Sequence, residues 1–262
     1  MKTAIRFAVL VLFATFALHL HANASLAPLH RHCTIGLSDK GTGLSIYVDD
    51  GNCTHRLHCG SNFSDGPFNN FTGVTVADLA RDGVELTASL HAEAGDFTCA
   101  GAVRDHELDG DAVFTPDTAF VARMQQMGFT GYDSEKLMAY AFIGVDSQWV
   151  RSMQQTGIKG LNADNLLALR IFKADSAYIQ SITALGYEMP NADQLIALKV
   201  QGVDPAEVRE IRSLGYSPTL DELVQIRIFK ITPDFIRRMQ ARGLRNLTIG
   251  KLVQIRIFDL AE

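Results

Sequence analysis

The sequence is poor in several things from which functional sites are commonly built. It has one tryptophan and four cysteines in 262 residues, and no cysteine follows residue 99. Lys and Arg do not outnumber Asp and Glu, 24 against 29, for a formal charge of −5. Binding to a phosphate backbone needs clustered cations, so no nucleic acid partner is expected. No apolar run reaches the ~20 residues that a helix needs to cross a bilayer, so no transmembrane segment is expected in the mature chain. The H-E-x-x-H pattern of zinc peptidases is absent, and Ser61 in CGSNFSDG lacks the second glycine of a nucleophile turn. The available acid–base groups are His91, Glu93, Asp96 and His106, or His55 and His58. None falls in the spacing of a nucleophile, base and orienter, so neither catalysis nor a cofactor is expected.

What is present begins with an export pattern. Lys2 and Arg6 precede an apolar run from Phe7 to Leu18, and the triplet Ala22-Asn23-Ala24 follows before Ser25. That order predicts a signal peptide over 1–24, cleaved near Ala24, and a periplasmic or secreted product. Without Lys2 and Arg6 the remainder carries −7. In an oxidising compartment, Cys33, Cys53, Cys59 and Cys99 read as a disulfide framework with three possible pairings. The stretch CTHRLHC (53–59), with His30 and His32 nearby in PLHRHC, also offers a metal-binding alternative through His30, His32, His55 and His58. Adjacent His58 and Cys59 do not readily converge on one tetrahedral centre, and the usual zinc spacings are missing, which favours disulfides.

Residues 25–115 predict a small antiparallel β domain. The stretches 43–50, 84–93, 95–105 and 109–114 alternate apolar and polar residues between Gly, Asp and Asn, the period of a half-buried strand. A helical turn is expected within 75–83. A hairpin about DKGTG (39–43) would bring Cys33 toward Cys53. That geometry favours Cys33–Cys53 with Cys59–Cys99 and leaves Cys53–Cys59 with Cys33–Cys99 open.

Residues 116–262 carry five copies of one unit. Gly128, Gly157, Gly186, Gly215 and Gly243 are spaced by 29, 29, 29 and 28 residues, and each is followed by a second block such as LLALRIFKA (166–174) or LVQIRIFKI (223–231). Asp117, Asp146, Asp175, Asp204 and Thr232 stand where a short oxygen side chain caps a first helix. Asp133, Asn162, Asn191, Thr219 and Thr248 do the same for a second. Pro205 and Pro233 fit the first helical position, and the repeating glycine fits a left-handed stop. The expected fold class is therefore α+β, a disulfide-containing sheet followed by an α-solenoid of five helical hairpins. Arg170, Lys199, Arg227 and Arg256 share one position in successive second helices, where the first unit has Ala141. Such a row could meet an acidic partner, or could lay its alkyl stems over the core. GIKG (157–160) is similar to a DNA-binding helix-hairpin-helix turn, but it occurs once in an acidic chain.

The segment 93–129 with hairpins such as DPAEVREIRSLGYSPTLDELVQIRIFK (204–230) resembles the repeat-bearing exported regions of some bacterial proteins, including BlaR/MecR-type membrane metallopeptidases. The resemblance spans roughly residues 70–262 and implies a cell-envelope protein with a sensing or interaction role. It carries over no peptidase activity. The function expected from these readings is an exported, non-catalytic interaction module that binds an envelope or secreted protein or peptide through the repeat surface.

Overall fold

The computed structural model describes residues 26–38, 43–50, 60–66 and 70–258. The expected leader, with Cys53, His55, His58 and Cys59, lies outside them. Seven strands form one antiparallel sheet: β1 (Leu29–Leu37), β2 (Leu44–Asp49), β3 (Gly60–Gly66), β4 (Phe71–Thr72), β5 (Glu85–Ala92), β6 (Gly95–Arg104) and β7 (Glu107–Pro116). Their order is β3-β2-β1-β7-β6-β5-β4. The chain leaves by one edge, re-enters at the other, passing through the short helix α1 (Val76–Leu79), and returns so that β7 pairs with β1 from Leu29↔Phe114 to Ile35↔Leu108. The period of two puts Cys33, Ile35, Phe97, Cys99, Val103 and Phe114 on the buried face.

That strand order overturns the favoured cysteine pairing. Cys33 is bonded to Cys99, not to Cys53. Cys33 stands opposite Gly110 and Cys99 opposite Ala112, on the two strands that flank β7. In a flat sheet, strands separated by one neighbour lie roughly 9.5 Å apart, yet the two Cα atoms are 6.1 Å apart. The sheet therefore curls sharply about β7, where Gly110 faces Gly101 across the β6–β7 pair. A Cβ on Gly110 would come within 2.1 Å of the Ala100 carbonyl, and one on Gly101 within 2.1 Å of the Asp109 carbonyl. Only glycine fits this approach of β6 to β7.

Ten further helices follow: α2 (Thr118–Gln126), α3 (Ser134–Ile143), α4 (Ser147–Gln155), α5 (Ala163–Ile171), α6 (Ser176–Thr183), α7 (Ala192–Val200), α8 (Pro205–Ser213), α9 (Leu220–Ile228), α10 (Pro233–Ala241) and α11 (Ile249–Ile257). All ten capping residues read from the sequence accept a backbone N–H at their helix starts. Gly128 closes α2 with φ +91°, and the N–H groups of Gly128 and Phe129 reach back to the Gln125 and Met124 carbonyls. This is the left-handed stop that glycine makes without strain. The second helices contact one another in succession, α3 with α5, α5 with α7, α7 with α9 and α9 with α11. Among first helices, α2 contacts α4 and α8 contacts α10.

The curled sheet receives α3. Phe142 stacks on Phe63 of β3 at 4.4 Å and meets Phe97 of β6 edge-on at 4.8 Å, with Phe71 of β4 at 6.3 Å. Arg31 of β1 pairs with Glu135. One buried apolar cluster thus runs from Cys33 through the sheet and the first helices as far as Leu195. Glu93, in the β5–β6 turn, accepts the Ser147 N–H at 3.0 Å at the start of α4 and faces Arg123 at 3.7 Å.

Two outcomes follow from these contacts. Replacing Cys33 and Cys99 together by alanine should cost about 2–4 kcal/mol in urea unfolding, because the bond closes a long loop; an unchanged midpoint would contradict the pairing. Burial acts to raise the Glu93 carboxyl, but hydrogen bonds from Ser147 and the charges of Arg123 and Arg151 outweigh it and hold the group below its usual range. A lowered carboxylate stabilises the fold fully above its unfolded value, ~4.3, and loses that contribution as pH falls through the folded value. Melting temperature should accordingly fall less steeply below pH 5 in Glu93→Gln than in the parent, as measured by circular dichroism.

Candidate functional site

The four cations of the expected row all lie in the last turn of a second helix, where positive charge complements the helix dipole. Each faces the third residue of the first helix in its own sequence repeat. Arg170 lies over the Trp149 ring at 5.1 Å, Lys199 over Tyr178 at 4.5 Å and Arg256 over Phe235 at 5.1 Å. In the fourth unit that column holds Glu207 instead, and Arg227 pairs with it at 2.7 Å while donating to the Gln201 carbonyl at 3.1 Å. Burial, then the Asp204 carboxylate, pushes Tyr178 up to about 12, so its hydroxyl stays protonated and donates to the Val203 carbonyl. Aromatic contacts of this kind contribute about 0.5–1 kcal/mol each at exposed sites. Among the described residues, Arg170, Lys199 and Arg256 form no ion pair and lie over rings, whereas Arg227 is held by a carboxylate.

Beside this row runs a feature that the reading of charges missed. The residue after each cation is apolar and open to solvent: Ile171 is 47% exposed, Val200 47%, Ile228 51% and Ile257 54%. Phe172 and Phe258 extend the exposed surface in the second and fifth units. The equivalent residue of the first unit is Phe142, and there the sheet covers it. Going back along α5, α7 and α9, the same face passes half-buried Leu167, Ile196 or Val224 and ends at Asp164, Asp193 or Asp221 in the first turn, whereas α11 has Val253 and Gly250 there. In α3 that face runs Phe142, Met138, Glu135. The sequence signal was an excess of apolar residues: in LLALRI, five of six are apolar, more than one buried helix face can use.

The other expected sites are dispersed. His30 and His32 lie two residues apart on β1, so they share a face. His32 has Asp109 3.4 Å from Nε2 and Asp49 3.8 Å from Nδ1, so the carboxylates address different ring nitrogens and leave no shared open centre. Among the described residues no three His, Cys, Asp or Glu side chains are disposed to hold a metal ion. His91 and Asp96 pair at 3.0 Å beside the β5–β6 turn, whereas His106 lies beyond the opposite end of β6. Glu93 is engaged with Ser147. These four do not form one constellation. Among the described residues, no helix is long and apolar enough to cross a membrane.

Comparison with known protein families, curated proteins and solved structures finds no match to this chain.

If the column serves the fold only where the sheet covers it, truncation should separate the units. Phe142→Ala should cost about 2–3 kcal/mol, somewhat under a fully buried phenylalanine, whereas Ile228→Ala should change stability by no more than about 0.5 kcal/mol. Equal losses in denaturant titrations would contradict this division.

Proposed function

We propose that the chain is an exported, non-catalytic interaction module that docks a protein or peptide along its repeated helices. In this reading the ten helices are a five-hairpin α-solenoid, and the disulfide-bonded sheet caps its first hairpin. The observation that carries it is periodic: each of units two to five sets one cation and one exposed apolar side chain at the same place on successive second helices. Extended repeat surfaces bind by area and shape, and need no short motif or deep cleft. The contact of each second helix with the next supports a continuous row. The resemblance of the hairpins to exported repeat regions of envelope proteins supports the location, as does the Cys33–Cys99 bond, which an oxidising compartment favours.

The reading is tested by affinity capture from envelope extract of the source cells, with the mature chain and with Arg170→Glu/Arg227→Glu/Arg256→Glu as baits. A polypeptide retained by the parent and lost from the variant is expected. Identical retention by both would remove the row from the interface, and turnover of a substrate by the purified chain would overturn the non-catalytic assignment.

A further inference from the structure

The first hairpin shows what the repeated face accepts. On α3 the sheet sets phenylalanines against Phe142, near the helix C-terminus, and Arg31 against Glu135, near its N-terminus. On α5, α7, α9 and α11 the equivalent C-terminal position is an open aliphatic residue, and on α5, α7 and α9 the N-terminal position is an exposed aspartate. Asp164 is met by Lys136 at 2.7 Å, but Asp193 and Asp221 form no ion pair among the described residues. The face therefore repeats the chemistry of an interface that the chain already makes, and among the described residues the covering element lies only over the first unit.

Spacing restricts what can continue that cover. Neighbouring packed helices lie about 8–10 Å apart. A strand returns a side chain to one face about every 6.8 Å, so it drifts out of phase with such a row. A helix returns to nearly the same face every seven residues, about 10.5 Å, and stays in phase over several units. A second copy of this chain is disfavoured as occupant, since pairing the two faces would bring Arg170, Lys199, Arg227 and Arg256 against their own counterparts. An aromatic-bearing partner meets no such penalty, because the cations beside the column already pack on rings.

We propose that the row formed by α5, α7, α9 and α11 binds an amphipathic helix of another polypeptide. The helix lays an aromatic side chain at every seventh position over Ile171, Val200, Ile228 and Ile257, and carries Arg or Lys along the border that meets Asp193 and Asp221. This deepens the docking function proposed above and rests on it.

The probe is a synthetic helix of about 21 residues, three heptads, with Phe at one heptad position and Arg on one flank. Two controls have the same length, one with Glu in place of Arg and one scrambled. Fluorescence anisotropy with the mature chain should show the Arg peptide binding at least about tenfold more tightly than either control. Val200→Asp/Ile228→Asp should lose about tenfold of that affinity with an unchanged melting curve, and Asp193→Asn/Asp221→Asn should erase the preference for Arg over Glu. Equal binding of all peptides, no binding up to about 0.1 mM, or insensitivity to Val200→Asp/Ile228→Asp would each overturn the assignment. So would binding to anionic vesicles, or a dimer in sedimentation, that disappears with the same substitutions, since either gives the face a different occupant. Capture of a row-dependent partner from extract, with no peptide binding, would retain the docking function and reject the helical partner.

Discussion

A helix of nine residues does not hold itself together in water. Nucleation costs more than so few hydrogen bonds return, and isolated helices shorter than about 12–15 residues are marginal even with good sequences. Eight of the ten repeat helices have nine residues, and the others have ten and eight. Each must therefore be completed by its neighbours, and the inter-repeat contacts show how. Gln154 donates to the Met127 carbonyl and Gln240 to that of Leu214, with Arg212 reaching the Leu185 carbonyl from the same column. In every case the acceptor is the residue just before the repeating glycine that follows the preceding first helix, and its carbonyl has no partner inside that helix. Tyr140 and Tyr178 add bonds to the Ala163 and Val203 carbonyls beyond their own helices. One unit thus supplies the hydrogen bonds that the previous unit lacks.

The same dependence explains which parts of the fold are legible in the sequence. Caps, proline starts and glycine stops act over three or four residues, so Asp146 or Gly157 can be identified without knowing the tertiary structure. Their fivefold recurrence makes the pattern unmistakable. The sheet depends instead on pairings between distant segments. β1 joins β7 across some eighty residues with no local mark, and the Cys33–Cys99 bond follows from that join and from Gly110, not from the hairpin around residues 39–43. Strands β3 and β4 are invisible for a related reason: they are edges, defined by a neighbour more than by alternation. Of the site, the cation row is legible because charge stands out in an apolar block. The exposed column is not, because an apolar residue in such a block reads by default as core.

A charge row and an apolar column on the same helices have different standing. The cations have reasons within the fold: they complement helix C-termini, cover aromatic rings and, at Arg227, join Glu207 and the Gln201 carbonyl. A fold with no partner would still place Arg or Lys there. Ile171, Val200, Ile228 and Ile257 have no comparable reason, since a solvent-facing position in the last turn accepts polar residues with little change in stability. A single exposed isoleucine is ordinary on a protein surface, but a continuous apolar surface marks a contact. Repetition in four successive units places these side chains in a line, and the fifth member of the line, Phe142, is the one on which the chain seats its own sheet. In the proposed complex the cations would set the border and the orientation of the helix across the column, while the area removed from water there would supply the attraction.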